Sequence, residues 1–350
     1  MTSEAAALDI LRRFAPGTPL RDMVDLILRQ GTGALIMFGS GPVVAKVASG
    51  GFTLSDTPFT AQRVAELAKM DGGIVVSADA LHIDRANVHF IPDSSIATEE
   101  TGTRFRTAER LAIQTGCPIL SISEEGRSVA IVYSDSARYE LRSPTELYAQ
   151  ADQTLNSIER LRRRLQEAEE RLTRLEIDDV VTVRDVTMVI QRAALVRRLF
   201  GQVERAVVEL GGQAHLISIQ AADIADGVDQ IAELVYADYV KRRRPSRVSV
   251  FERFEDLPTD RLYEPSRVAS ALKFDDLERA VRPRGVRALA GVPRLPETVK
   301  DALISRFRDL QRLLAASVDD LDTVEGVGTA RAQQLHSYLD RLRQAGTIGG

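Results

Sequence analysis

Apolar positions change period several times in the first 140 residues. Residues 20–30 carry them at helical spacing, and GALIMF at 33–38 is a short apolar run bounded by glycine. Residues 61–69 read as helix, then GIVVS at 73–77 and residues 88–91 as strands. Residues 107–115 return to helix, followed by PILSIS at 118–123 and VAIVY at 129–133. Short β-rich runs between helices of about ten residues predict an α/β domain, a mixed sheet covered by helices.

Near residue 145 the pattern becomes wholly helical. Ile158, Leu161, Leu165, Ala168, Leu172 and Leu175 recur at spacings of three and four, an apolar stripe too short for an extended coiled coil. Helical patterning continues over 186–210 and 221–240 and stops at KRRRP, because proline cannot continue a helix. From about Val281 a proline-punctuated stretch leads into a last helical segment holding Glu325-Gly326-Val327-Gly328. The expected division is therefore an α/β domain over 1–142, a helical middle domain over 143–280 and a small helical domain over 281–350.

Composition narrows this little. At 350 residues, 44% hydrophobic and 27% charged, the chain reads as globular with two or three domains. The net charge of −4 gives no whole-chain reason to expect nucleic acid, so such a partner rests on local patches. A single cysteine, Cys117, excludes an internal disulfide and a cysteine metal cluster. Glu4 and Asp9 interrupt any signal-like start, and no apolar run is long enough to span a bilayer, so a cytoplasmic protein is expected. The four histidines fall at no metal-ligand spacing.

Three segments carry candidate chemistry. Asp71-Gly72-Gly73 sets a carboxylate beside two glycines directly before an apolar strand. Glycines let a backbone approach a ligand, and the acid can hold Mg²⁺ or Mn²⁺ or polarise a hydroxyl; the same tripeptide also serves as a plain turn. The second is Thr101-Gly102-Thr103-Arg104-Phe105-Arg106, in which small hydroxyl residues and a glycine lead into a helix start flanked by two arginines. Unpaired N–H groups and guanidinium forks suit phosphate, although a capped surface helix would look alike. No GxxxxGK[ST] loop occurs. The third is Ser123 at a strand end, a common ligand position and an equally common turn.

On GALIMF, the stretch from GGFTLSDTPF to KMDGG, RANVHFIPDSSIATEETGTRFRTAERLAIQTG and ISEEGRSVAIVY, the span from Gly33 to Tyr133 resembles the diadenylate cyclase domain in the version carried by DNA integrity scanning proteins. The resemblance implies that two ATP molecules are joined into cyclic di-AMP with release of two pyrophosphates. It implies Asp71, Arg104 and Arg106 as catalytic residues, with Asp71 supporting Mg²⁺ or Mn²⁺ and the attacking ribose 3′-hydroxyl. Gly72 and Gly73 would line the nucleotide site and Phe90 would contact the adenine region. Thr101, Gly102, Thr103, Arg104 and Phe105, with Ser123, would hold the phosphates. Two positions depart from the family. Gly73 stands where alanine is usual, and Phe105 stands between the two arginines where histidine is usual. Phenylalanine cannot hydrogen-bond or carry a proton, which opens the alternative of a weakened or silent ATP- and DNA-binding scaffold.

Each 3′-hydroxyl must attack the other ATP, so two domains must face each other and a homo-oligomer is required; the resemblance implies an octamer. Val324 to Ala332, with Leu335, fits a helix-hairpin-helix, whose glycines at 326 and 328 expose amides to a DNA phosphate, with Thr329 and Arg331 adding contacts. Arg282, Arg284, Arg287 and Arg294 form a local basic stretch, and from Val281 onward eleven basic residues face eight acidic ones. The resemblance extends over this region and over residues 178–185. It implies binding of branched DNA that inhibits the cyclase, in DNA-damage checkpoint signalling. The middle domain is expected to serve as spacer and oligomer packing, and Lys241 to Arg244 as a possible DNA contact.

Overall fold

A computed structural model describes residues 3–123, 129–135, 137–240 and 249–347. The basic run at 241–244 lies outside the described residues. The chain divides into two compact units, Met1–Asp152 with Glu204–Ser218, and Gln153–Val203 with Ile219–Gly350.

The first unit is built on an eight-stranded sheet: β1 (Ala34–Phe38), β2 (Ala48–Ser49), β3 (Phe52–Pro58), β4 (Gly73–Val76), β5 (His82–Phe90), β6 (Ile119–Ile122), β7 (Ala130–Ser134) and β8 (Ala137–Glu140). The order is β2-β5-β4-β1-β6-β7-β8, with β3 also paired to β5. Only β1 and β4 of the paired strands run parallel, so the sheet is mixed as expected. Helices α1 (Ser3–Arg13), α2 (Pro19–Gln30), α3 (Pro42–Val47), α4 (Ala61–Leu67) and α5 (Thr103–Thr115) cover it.

Alternation along the strands sorts the core into two layers. Ile36, Phe38, Ile74, Val76, Leu120, Ile122 and Val132 pack with Met23, Val24 and Ile27 of α2 and Val64 of α4. Met37, Val75, Ile119, Ile131 and Tyr133 pack on the other face with Ala108, Leu111 and Ala112 of α5 and Val44 and Val47 of α3. Helix α2 begins on Thr18, whose side chain accepts from the Arg21 N–H, and ends on Gly31 in the left-handed region, φ 69°.

Two sequence expectations shift here. Strand β5 starts at His82 rather than near Val88, because its first half alternates polar and apolar and lacks an apolar run. Strand β3 escaped the pattern altogether: FTLSDTP is an edge strand with mostly exposed residues.

The remaining helices are α6 (Pro144–Ile177), α7 (Val183–Leu210), α8 (His215–Ala225), α9 (Val228–Tyr239), α10 (Thr259–Leu262), α11 (Pro265–Ala271), α12 (Val286–Ala290), α13 (Glu297–Phe307), α14 (Leu310–Leu314), α15 (Val318–Asp322) and α16 (Thr329–Thr347). The predicted stripe of α6 buries Ile158, Leu161, Leu165, Ala168 and Leu172, but at its end Glu176 is buried while Leu175 is only half-buried. The single helix expected over 221–240 is broken at Gly227, φ 71°. Within the second unit, a cluster from Leu289 to Leu339 forms an apolar core of its own around Leu303, Leu321, Ala332 and Leu335. Among the described residues no helix is long and apolar enough to cross a membrane.

Candidate nucleotide site

Sheet register brings the three chemical segments to one end of the first unit. Strands β1 and β4 pair in parallel at Ile36↔Ile74, so continuing the register backward sets Gly33 opposite Asp71. Strands β1 and β6 pair at Ala34↔Ile122, so one further step sets Gly33 opposite Ser123. Asp71, in the bend before β4, Gly33, just before β1, and Ser123, just after β6, therefore lie at the same end of three adjacent strands. The end of β5 joins the same edge, because Gly73 pairs with Val88.

Arg104 comes down on this end from the first turn of α5. Its guanidinium lies flat against Gly33, where a β-carbon would collide with it, and Nη1 donates to the Ile122 carbonyl at 3.1 Å. Arg106 does not join it. Residues two apart on a helix point to nearly opposite sides, and Arg106 is exposed, with no side-chain partner among the described residues. Of the two arginines, Arg104 is the one seen packed against Gly33. The helix also starts at Thr103, four residues before the predicted start, so both arginines belong to its first turn.

Asp71 is exposed at the bend between α4 and β4. Behind it the chain is held tightly. A β-carbon on Gly72 would stand 2.6 Å from the Asn87 Cα, and one on Gly73 would run into the Phe90 ring. Asn87 itself adopts φ 53° where the β4–β5 register slips between Gly73 and Val75, a bulge beside the acid. Asn87, which lies just ahead of the strand read from sequence at 88–91, packs on the turn that carries Asp71, a role that the sequence alone does not signal. Phe90, expected at the adenine, is buried, its ring over Gly73 within the α5-side core.

Gly102 is the N-cap of α5 and offers no side-chain cap, so the first amides of the helix stay open. Thr101, Gly102 and Thr103 are exposed around it. Phe105 is half-buried and packs on the core under α5. Glu100, one residue earlier, accepts from the Tyr133 hydroxyl at 2.7 Å and from Arg138 Nε at 3.1 Å. Burial, with Glu100 second, pushes the Tyr133 phenol far above its ordinary range. Ser123 lies at the end of β6, its amide donating to the Val129 carbonyl at 3.0 Å.

No group of three or more His, Cys, Asp or Glu side chains suited to a metal occurs among the described residues. A lone exposed carboxylate still fits a hard divalent ion whose other ligands are phosphate oxygens and water.

In the second unit, α15 and α16 are joined by a turn in which Gly326 sits at φ 81° and Val324 and Val327 are buried. Gly328, Thr329 and Ala330 are exposed, with nothing within 4 Å of a β-carbon on Gly328. Arg331 turns back to donate to the Gly326 carbonyl, and Thr329 Oγ1 is 3.5 Å from Asp322. Three arginines of the basic stretch ahead of it have partners within the unit, although Arg282 keeps most of its side chain exposed, so the stretch is not a row of free cations. Arg282 pairs with Asp179 at 2.9 Å, Arg284 donates to the Ala237 carbonyl, and Arg287 pairs with buried Glu176 at 2.8 Å. Arg294 alone of the four is exposed without a partner.

Residues 21–137 match the family model described as DisA bacterial checkpoint controller nucleotide-binding, and residues 141–281 match its linker region. A DNA integrity scanning protein DisA from Kineococcus radiotolerans is 45% identical over 99% of this chain and 98% of its own length. One from Streptomyces avermitilis is 45% identical over 97% of this chain and 92% of its own. Among solved structures, DacA from Staphylococcus aureus aligns at 18% identity and a TM-score of 0.29, over 41% of this chain and 91% of that one. With a nucleotide-binding domain, a linker region and near-full-length relatives all of one kind, the chain belongs to the DNA integrity scanning protein DisA family.

Proposed function

We propose that this chain is a diadenylate cyclase that condenses two ATP molecules into cyclic di-AMP and two pyrophosphates, and that branched DNA bound by its C-terminal region regulates it. The observation that supports the reading is the Arg104 guanidinium packed against Gly33 at the sheet end where β1 and β4 begin and β6 ends, with the start of α5 carrying no side-chain cap. A carboxylate, a guanidinium and open amides at one sheet end suit a polyphosphate whose reaction needs positioning and charge neutralisation.

In this reading Asp71 takes the 3′-hydroxyl proton or holds Mg²⁺ or Mn²⁺, while Thr101, Gly102, Thr103, Arg104 and Ser123 hold phosphate oxygens. The metal, when bound, neutralises phosphate charge. Gly72 and Gly73 keep the backbone low enough for the nucleotide, Phe90 supports that floor from behind, and Phe105 anchors the first turn of α5 to the core. Arg106, exposed and without a side-chain hydrogen bond or ion pair among the described residues, would neutralise charge on the ATP of a facing domain. Two such sites must oppose each other, which requires an even-numbered homo-oligomer; we take it to be an octamer. The three-domain division at about 142 and 280 belongs to the same proposal, with Gly326, Gly328, Thr329 and Arg331 forming a helix-hairpin-helix that meets DNA phosphate.

Incubating the full chain with ATP and Mn²⁺ or Mg²⁺, with and without a four-way junction, tests the whole. Cyclic di-AMP that falls when the junction is added is the expected result. ATP binding without product would instead favour the scaffold that Phe105 suggests.

A further inference from the structure

The loop that leads from β5 to α5 is pinned along its length to the helix it precedes. The Asp93 amide donates to Gln114 Oε1 at 2.8 Å, and Arg110 Nε donates to the Ile96 carbonyl at 2.8 Å. The Thr98 hydroxyl bonds Glu109, and the Glu100 amide donates back to Thr98 Oγ1 at 3.2 Å. Glu100 is the last pin. Its carboxylate takes the Tyr133 hydroxyl from β7 and Arg138 from β8 on a single oxygen, Oε1. Beyond it, the side chains of Thr101 and Thr103 are exposed with no partner among the described residues, and Gly102 caps nothing.

The corner proposed to receive phosphate is thus held on its helix side by α5, where the Gly102 carbonyl accepts from the Arg106 amide and the Thr103 carbonyl from the Thr107 hydroxyl, both at 2.9 Å. On its loop side its shape depends on what holds residue 100. Tyr133 is 1% exposed, so phenylalanine would fill the same space while removing the hydroxyl that bonds Glu100 beside Arg138. We propose that Tyr133 and Arg138 are positioning residues of the nucleotide site, acting through Glu100 to hold Thr101, Gly102 and Thr103 in their phosphate-accepting shape. This rests on the cyclase reading for its consequence in catalysis, but not for its consequence in the free protein. A preorganised corner binds phosphate without first paying to be ordered. Released, it would bind ATP more weakly while leaving Asp71, on another segment, untouched.

The test compares full-length wild type, Tyr133→Phe and Glu100→Gln by amide hydrogen exchange and by steady-state kinetics with ATP and Mn²⁺. In Tyr133→Phe, the amides of residues 101–106 should exchange about tenfold faster, with no change in those of β1 and β4. The KM for ATP should rise about tenfold, and kcat should stay within about threefold, as expected for one lost hydrogen bond to a charge. Glu100→Gln should reproduce both effects at least as strongly. Unchanged exchange over 101–106 in both variants overturns the proposal, whether or not the chain is active. So does a fall in kcat at constant KM, which would place Tyr133 in the chemistry instead. A wild-type chain that makes no cyclic di-AMP sinks the cyclase reading, and the exchange result then decides the positioning claim by itself.

Discussion

The ring of Phe90 occupies the space that a β-carbon on Gly73 would need, at the point where the Asp71 turn enters the sheet. The resemblance to the family made alanine the usual residue at 73, so glycine here reads as a mild loss. Next to this ring it is a requirement. Gly73→Ala alone should destabilise the chain by about 1–3 kcal/mol through overpacking, seen as a lower melting temperature, and should lower cyclase activity by displacing Asp71. Gly73→Ala combined with Phe90→Leu should recover most of both. If the double variant is as impaired as the sum of the single ones, the two residues are not coupled and the argument fails.

Arg104 and Arg106 should separate cleanly. Arg104 is wedged on Gly33 and bonds the Ile122 carbonyl, so Arg104→Ala should cost both folding stability and activity. Arg106 touches nothing within the described chain, so Arg106→Ala should leave stability within about 0.5 kcal/mol while cutting cyclic di-AMP formation at least tenfold. Activity retained in Arg106→Ala would remove it from the site.

Phe105 packs against the α5-side core, which gives it a structural task that needs no hydrogen bond. Phe105→His should therefore change the cyclisation rate by less than about threefold, whereas Phe105→Ala should destabilise the helix start by roughly 1–3 kcal/mol, less than a fully buried phenylalanine would cost. A large gain in product from Phe105→His would show that the missing histidine limits the enzyme.

Apolar runs made much of this legible in advance. GALIMF, GIVVS and PILSIS became β1, β4 and β6, because buried strands announce themselves by composition. Residue type singles out Asp71, Arg104 and Ser123, and the strand pairing adds what sequence lacks, that β1 and β4 begin at the sheet end where β6 finishes. What stayed hidden depends on long-range partners. Asn87 matters only through the bulge against Gly72, and Glu100 only through Tyr133 and Arg138. The arginines at 282, 284 and 287 read as a basic stretch because nothing in their neighbourhood reveals the carboxylates and carbonyl, 103, 47 and 111 residues away in sequence, that they bond.

Arg287 offers a pH-dependent test of its own pairing. Burial is the largest influence on the Glu176 carboxyl and holds it above the ordinary glutamate range even with the guanidinium beside it. A carboxyl raised by folding binds its proton more tightly in the folded chain than in the unfolded one. Its contribution to stability is full below the ordinary glutamate value and is lost as pH rises through the folded value. Arg287→Met strips away the compensating charge, so the variant should lose about 3–5 kcal/mol near neutral pH and recover part of it as the pH is lowered toward the ordinary glutamate value. Arg287→Met with Glu176→Met should be nearer wild type and flat with pH. Chemical denaturation across the pH range checks both, and a single variant whose deficit is the same at all pH values would mean that Glu176 is not the group left exposed to burial.

The turn between α15 and α16 contains two glycines with opposite demands. Gly326 sits at φ 81° with its β-carbon position 3.0 Å from a Val299 methyl, so Gly326→Ala should destabilise the C-terminal cluster and weaken DNA binding indirectly. Gly328 has no neighbour within 4 Å and no left-handed backbone, so an added methyl there clashes with nothing in the fold and, at the N-cap of α16, should cost at most about 1 kcal/mol. Any loss of affinity in Gly328→Ala must then come from the added methyl meeting a ligand that approaches the open amides. Arg331 cannot serve as well, because it also bonds the Gly326 carbonyl and its removal loosens the turn. Binding of a four-way junction, measured at several salt concentrations, should fall at least fivefold in Gly328→Ala with the melting temperature only slightly lowered and the salt slope nearly preserved, since no charge has been removed. Wild-type affinity in that variant would place the DNA contact elsewhere on the chain.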